Sequence, residues 1–169
     1  MFDRVATPAE LLTYELGSAL AMENILLDTL GELELEATSD ELVAFLRRHA
    51  EQTTQHVRTL EEAFAAIGED PEDKPCPVIE AIDKEARAGV NRSADPLVDT
   101  VILGSAAAAE HYEIAVYDSL IVQAEALGRQ DVAALIRQGL EHEQQALEDI
   151  RAIMSRIAGG AAQHASREA

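Results

Sequence analysis

The sequence contains no tryptophan, and aromatic residues make up only 4% of its 169 positions. Because aromatic and β-branched residues favour strands, their scarcity beside abundant alanine, leucine and glutamate predicts a helical protein. There is a single cysteine, Cys76, which excludes an internal disulfide. We expect this residue to be buried as a small hydrophobic side chain. At this length the chain is expected to form one domain with a sizeable core.

Basic residues are also few: the sequence has 13 lysines and arginines and 32 acidic residues, which gives a formal net charge of −19 at pH 7. Such acidity argues against nucleic acid and anionic membranes as partners, although adaptation to high salt would produce the same composition. The sequence lacks a recognisable signal peptide and a hydrophobic run long enough to span a membrane. We therefore predict a cytoplasmic protein.

Apolar residues recur at helical spacing in four long segments, which form two pairs. The polar break Thr38–Glu41 separates the first pair and Gly128 separates the second. Turns this tight make each pair an antiparallel hairpin. A capping box at Thr7–Glu10 is predicted to start the first helix. The pair Gly159–Gly160 is predicted to end the last one.

The segment between the hairpins, residues 69–95, is too long for a turn but long enough to cross a bundle. It is predicted to contain a short helix from about Val78 to Ala88. One long crossover is the ferritin-like variant of the four-helix bundle. We therefore predict an all-α, ferritin-like four-helix bundle over residues 1–158, followed by a flexible C-terminal tail, residues 159–169.

Each long apolar stripe is interrupted near its middle by polar side chains. Glu23 and His56 lie at similar distances from the first turn, as Glu113 and Glu143 do from the second, so two straight hairpins bring them to one level. Ionised carboxylates that face one another across a core need a cation to hold them together. The stripes therefore predict a buried polar site halfway along the bundle.

Three or four buried carboxylates with one or two imidazoles suit iron, manganese or zinc. A bundle that holds two metals can take a Glu from each of two helices and a Glu-x-x-His motif from each of the other two. This sequence has no Glu-x-x-His motif, so both one and two ions remain open. The candidate metal ligands are Glu23, Gln52, His56, Glu110, Glu113 and Glu143.

The other histidines are assigned different roles. His49 is expected to be a core histidine with its hydrogen bonds satisfied, or a partner of a ligand, and not a ligand itself. His111 falls off the inward register and is expected at a flank or at a subunit contact. His142 and His164 are expected to be exposed.

The sequence resembles the YciE/YciF family of bacterial ferritin-like proteins over about Pro8–Ile157. The resemblance is carried by LLTYELGSALAMENILL, HAEQTTQHVRTLEEAF, CPVIEAI, ILGSAAAAEHYEIAVYDSL and GLEHEQQALEDI, of which AEHYEIAVY is the most specific piece. It implies a helical dimer with a metal centre comparable to those of rubrerythrin and manganese catalase. It also implies a link to stress responses.

Carried over residue by residue, the resemblance assigns His56 to a position that is usually His or Gln. Gln52 stands where the family typically has Glu, and Leu147 stands where an acid is common. Both departures remove negative charge from the site, which predicts one well-occupied ion, or two unequally occupied ones, with slow or absent peroxide turnover. The family's inward acids correspond to Glu23, Glu110, Glu113 and Glu143.

Three functions are compatible with these features. The first is a metalloprotein that performs redox chemistry on peroxide, oxygen or ferrous iron. The second is a non-catalytic structural or stress dimer with a degenerate or empty metal site, and the third is a scaffold that binds a partner protein through its acidic surface. No further helix of the kind that closes storage shells follows Gly159, so we expect a homodimer and not a cage.

Overall fold

The computed structural model describes residues 4–165, with side chains as far as Ile157. Five α-helices account for most of this part of the chain, a short 3-10 turn at Asp95–Leu97 precedes the fourth, and no strand occurs within it. No helix among these residues is long and apolar enough to cross a membrane. The helices are α1 Pro8–Glu36, α2 Asp40–Ile67, α3 Pro77–Arg92, α4 Val98–Ala126 and α5 Gln130–Ala165.

Local sequence signals set the ends of the two hairpins. The Thr7 hydroxyl accepts from the backbone N–H of Glu10, whose carboxylate accepts from that of Thr7, which confirms the predicted capping box. Ser39 caps α2 in the same way, through the N–H of Leu42. Gly68 after α2 and Gly128 between α4 and α5 have positive φ values of 80° and 72°, which glycine adopts without steric cost.

The four long helices form the predicted ferritin-like bundle. α1 packs along α2, α4 packs along α5, and the two hairpins meet where α2 lies beside α5 and α1 beside α4. The crossover passes close over α1, where the N–H of Lys74 donates to the carbonyl of Gly17 at 3.0 Å. It then continues as α3, which packs against α1 and α4. Cys76, at the start of α3, is buried as predicted.

Two apolar clusters fill the ends of the four-helix bundle, and a third packs α3 against α1 and α4 beside the polar middle. One contains side chains from the start of α1, the end of α2, the end of α4 and the start of α5, such as Leu16, Phe64 and Leu120. The other contains side chains from the opposite ends of the same helices, such as Leu30 and Leu103. The polar interruptions of the four stripes lie between these clusters, where the sequence predicts them.

The predicted end of α5 at Gly159–Gly160 is wrong, because the helix continues to Ala165. Glycine inside a helix costs about 1 kcal/mol relative to alanine, and alanines on both sides of this pair favour the helix. A glycine ends a helix when it takes a left-handed conformation, as Gly68 and Gly128 do. Flexibility of the tail stays a prediction, and residues 166–169 lie outside the described part of the chain.

Asp99 ties the α1–α2 turn to the first turn of α4. One carboxylate oxygen accepts from the backbone N–H of Thr38 at 2.7 Å. The other accepts from the N–H of Ser39 at 2.9 Å and from the Thr38 hydroxyl at 3.0 Å. Asp99 is only 6% exposed, so water cannot readily replace its carboxylate as the hydrogen-bond acceptor for these donors.

We expect Asp99→Ala to lower the free energy of unfolding by about 2–4 kcal/mol, because it leaves several donors unpaired at once. Urea unfolding followed by circular dichroism measures the change. Asp118→Ala, which removes an exposed carboxylate from the same helix, is the matched control and should stay within about 0.5 kcal/mol of the natural protein. Equal losses in both variants would contradict the role given to Asp99.

Candidate metal centre

Six buried ionisable side chains from all four long helices converge at the middle of the bundle. Each is at most 4% exposed, in a region where ionised groups are costly to bury without partners. The set comprises four carboxylates and two imidazoles, which is the chemistry the sequence predicts. The residues are Glu23 from α1, His49 and His56 from α2, Glu110 and Glu113 from α4, and Glu143 from α5.

The first half of the centre consists of His49, Glu110, Glu113 and Glu143, and we call it the His49 group. Each residue offers one ligand atom, and these atoms all lie within 4.8 Å of one another. Nε2 of His49 is 2.9 Å from a carboxylate oxygen of Glu110 and 3.9 Å from one of Glu143. Four donors this close together can surround a single cation.

The second half consists of Glu23, His56 and Glu143, and we call it the His56 group. Its ligand atoms also lie within 4.8 Å of one another. Nδ1 of His56 is 2.7 Å from Glu143 and 3.7 Å from Glu23. Glu143 belongs to both groups, so the two halves form one continuous centre.

Tyr117 and His142 flank the His56 group. The hydroxyl of Tyr117, a fully buried residue, donates to Glu23. Gly139 on α5 leaves room for this ring, because a Cβ atom there would lie 3.2 Å from the tyrosine Cζ. On the other side, Nε2 of His56 is 3.0 Å from Nδ1 of His142. These contacts fix how Glu23 and His56 are presented to the centre.

The centre retains protons when it holds no cation. Burial and the charges of Glu143, Glu110 and Glu23 raise the pKa of Glu113 well above its usual range. Burial alone lowers the pKa of both imidazoles, but the neighbouring carboxylates outweigh this effect. Glu110 is the main partner of His49 and raises its pKa to about 9, and Glu143 is the main partner of His56 and raises its pKa to about 10. A cation must therefore displace protons in order to bind.

These shifts predict how the stability of the metal-free protein varies with pH. The folded state binds the histidine protons more tightly than the unfolded state does. The stability they contribute is complete below 6.5 and is lost as the pH rises through about 9 for His49 and about 10 for His56. Between pH 7 and about pH 9.5 we expect a loss of about 2 kcal/mol or more, seen as a fall in Tm of roughly 4–8 °C.

Calorimetry of chelator-treated protein at a series of pH values measures this slope. His56→Gln should flatten it, whereas His111→Gln, which changes an exposed histidine, should leave it unchanged. A slope that is the same in both variants would show that the buried imidazole is not its source.

The donor set fits a divalent cation. Both oxygens of Glu113 are buried without a hydrogen-bond partner, as are one oxygen each of Glu23 and Glu110. Buried polar atoms are normally paired, so unpaired acceptors grouped at one point need a positive partner. Carboxylate oxygens mixed with imidazole nitrogens suit iron, manganese and zinc.

The structure brings together five of the six predicted ligands: Glu23, His56, Glu110, Glu113 and Glu143. Gln52 is half-buried and lines a cleft between α2 and α5 together with His49, so its role as a ligand stays a prediction. The structure also brings His49 among these acids, whereas the sequence predicts a core histidine or a partner of a ligand. Its spacing of seven residues from His56, on the same stripe, was the available signal. His142, predicted to be exposed, is half-buried against His56.

A bundle of four long helices with acids and imidazoles meeting at its middle defines a ferritin-like protein with a candidate metal centre. The chain belongs to the family described as Domain of unknown function (DUF892), which its residues 7–163 match. The resemblance to YciE/YciF proteins is thereby confirmed. None of the curated proteins matches the chain.

Solved structures share the fold over almost their whole length. YcfI, a proposed structural protein from Rhodopseudomonas palustris, is 29% identical with a TM-score of 0.85, over 89% of this chain and 97% of that one. The E. coli stress protein YciF is 21% identical with a TM-score of 0.88, over 92% of this chain and 99% of YciF. A protein from Xanthomonas campestris is 20% identical with a TM-score of 0.74, over 95% of this chain and 99% of that one.

Proposed function

We propose that this protein binds divalent metal ions (iron, manganese or zinc) at the centre formed by the His49 and His56 groups. The observation that carries the proposal is Glu113, whose two carboxylate oxygens are buried without a hydrogen-bond partner beside Glu110 and Glu143. Burying such a group in its ionised form is costly unless a positive charge compensates for it, and in the metal-free protein its raised pKa keeps a proton there that a cation can displace. A cation held by the four helices supplies that compensation.

The two halves of the centre are unequal as metal positions. The His49 group offers four ligands, whereas the His56 group offers three and shares Glu143 with the first. Glu23 in the weaker half also accepts a hydrogen bond from the Tyr117 hydroxyl, which makes one of its oxygens a weaker ligand for a metal ion. We therefore propose one well-occupied ion at the His49 group and a weaker one at the His56 group.

We further propose a role in stress or peroxide defence, with peroxide, oxygen or ferrous iron as the reactant. A redox-active metal would supply the electron transfer. The residues of this chain would hold the metal, exclude bulk water between the two apolar clusters, and orient Glu23 through the hydrogen bond that the Tyr117 hydroxyl donates to it. YciF, which shares the fold, is described as a stress protein.

Metal analysis of protein purified without chelator or affinity tag tests the proposal. We expect between one and two equivalents of iron, manganese or zinc per chain, removable by chelator at low pH and restored on adding the metal. Absence of bound metal, together with failure to take up any of the three ions, would refute it.

The alternative is a non-catalytic structural or partner-binding dimer whose centre is degenerate. The observation in its favour is that the buried imidazoles already pair with Glu110 and Glu143, so the bundle can hold these acids without a metal. YcfI is described as a proposed structural protein. Metal-free protein with an unfolding temperature equal to that of metal-loaded protein would favour this alternative.

We also propose that the protein is a cytoplasmic homodimer and not a storage cage, with a further protein partner left open. Light scattering combined with size-exclusion chromatography measures the mass in solution. We expect twice the mass of one chain. An assembly of a dozen or more subunits would contradict the proposal.

Gln52 gives a prediction about the weaker position. An amide supplies a neutral oxygen, which is too weak a ligand to help hold a second cation. Gln52 lies one helical turn before His56 on α2, so Gln52→Glu adds a charge on the face that carries the imidazole of the weaker position. We expect it to raise occupancy of the second position, measured as bound metal after equilibration with limiting free ion.

Gln144→Glu is the matched control, because it adds the same charge at an exposed position of α5. It should leave the bound metal unchanged. Two fully occupied and equivalent ions in the natural protein would contradict the charge argument made for Gln52.

A further inference from the structure

A surface cleft of about 380 Å³ opens between α2 and α5 at the level of the metal centre. Its walls carry amide side chains from both helices, Gln52 and Gln55 from α2 and Gln145 from α5. Two imidazoles, His49 and His142, also line it. The first belongs to the His49 group and the second contacts His56, so the cleft connects both halves of the centre with the surface.

His49, which lies between the cleft and the centre, has a ring nitrogen available to a ligand. The residue is 4% exposed, and its Nε2 atom is occupied by Glu110 at 2.9 Å. Its Nδ1 atom is buried without a hydrogen-bond partner. A buried ring nitrogen left unpaired costs free energy that water or a ligand would recover.

The remaining lining of the cleft suits a hydrated cation. Amide carbonyls and the carboxylates of Glu51 and Asp149 offer oxygen, the donor that hard divalent ions prefer. The amide of Gln145 donates to Asp149 at 3.0 Å, which leaves its carbonyl oxygen available. Arg48 is the basic residue of the wall, and its guanidinium donates to the carbonyl of Ala44 on its own helix at 3.2 Å.

A second cavity touches the centre from the opposite side, under α3, and provides a contrast. It reaches His49, Glu110 and Glu113, and its walls combine leucines with the polar side chains of Thr29 and Asp83. Its volume, however, is only about 30 Å³. A space of this size holds about one water molecule.

We infer that the α2–α5 cleft is the path by which a hydrated divalent cation reaches the centre. This inference rests on the proposed metal binding and goes beyond it by assigning the route along which the ion enters. The amides of Gln52, Gln55 and Gln145 exchange with the water of the ion as neutral oxygen donors, so none of them holds it tightly. His142 receives the ion at the inner end, next to His56, and His49 draws it into the four-ligand position.

The test measures the rate of loading separately from the amount bound. Metal-free full-length protein is mixed with Co²⁺ in a stopped-flow instrument, and the visible absorption of the bound ion is followed. Gln145→Trp places a bulky ring in the cleft, whereas Gln144→Trp makes the same change at the adjacent exposed position outside it. We expect loading to slow at least about tenfold in Gln145→Trp and to keep its natural rate in Gln144→Trp.

A second pair of variants tests the charge at the rim. Asp149→Lys reverses a charge on the cleft wall, and Glu148→Lys makes the same reversal beside it. We expect slower loading by roughly tenfold in the first only, with an effect that shrinks at high salt. The amount of cobalt bound at equilibrium should be the same in all four variants.

The outcomes separate the path from the metal site. Normal cobalt binding with an unaltered rate in both cleft variants would overturn the path and leave the metal centre standing. A natural protein that binds no cobalt, iron, manganese or zinc would overturn both.

Discussion

Replacing Glu110 and Glu113 together by glutamine should abolish high-affinity metal binding. These two residues supply two of the four ligands of the His49 group, from adjacent turns of α4. Each substitution keeps the shape of the side chain and removes its charge. Loss of groups that merely support metal ligands costs about 10–100-fold in affinity, so loss of two charged ligands should cost more than about 100-fold.

Titration calorimetry with Mn²⁺ or Co²⁺ measures the change, and Glu141→Gln with Glu148→Gln is the matched control. The control removes two exposed carboxylates from α5 and alters net charge by the same amount. We expect natural affinity in the control. Glutamine keeps the shape of both side chains and removes carboxyl groups, among them Glu113, whose ionised form burial and neighbouring charges disfavour; circular dichroism checks that the metal-free variant is folded. Unchanged stoichiometry in it would refute the assignment.

The fold was accessible from sequence because its signals are local and repeated. Four apolar stripes with helical spacing, short turns at Ser39 and Gly128, and a capping box at Thr7 each predict an element without reference to the others. Their lengths then place the polar interruptions at one level. The inward acids follow from the same argument, because an acid on the centre line of an apolar stripe has to face the core.

The apolar stripe of α2 does not determine which of His49, Gln52 and His56 faces the core. Successive helical residues are rotated by about 100°, so His49 and His56 lie within about 20° of each other while Gln52 lies about 60° from His49. A residue at the margin of a stripe faces the core or the flank depending on how far the whole helix is rotated. In the structure α2 turns Thr53 fully inward and leaves Gln52 at the cleft. That rotation is set by packing against α1 and α5, which a single stripe does not encode.

The end of α5 could not be predicted for a different reason. Glycine either ends a helix or continues it, and the choice depends on whether a left-handed residue can satisfy the final carbonyl groups. After α4, Gly128 does so through its N–H bond to the carbonyl of Glu125 at 2.9 Å. At Gly159 the helix goes on instead. The local difference is the alanines on both sides of Gly159–Gly160, which favour continuation of the helix, whereas Leu127 and Arg129 flank Gly128.

Glu143→Gln and Glu23→Gln should have very different effects, although both remove one buried carboxylate. Glu143 belongs to both halves of the centre, whereas Glu23 belongs only to the His56 group. We therefore expect Glu143→Gln to weaken both metal positions and to bring the bound metal well below one equivalent. Glu23→Gln should empty only the weaker position and leave one ion bound with natural affinity.

Competition with a coloured chelator measures both affinities in one titration, and metal analysis counts the ions. Glu141→Gln, an exposed position two residues before Glu143, serves as the control for a change on α5. If Glu23→Gln and Glu143→Gln lose the same amount of metal, the centre is a single site and not two positions that share Glu143. If Glu143 bridges the two groups, the natural protein binds more than one ion, Glu23→Gln keeps one of them and Glu143→Gln loses both, although the two variants remove the same charge.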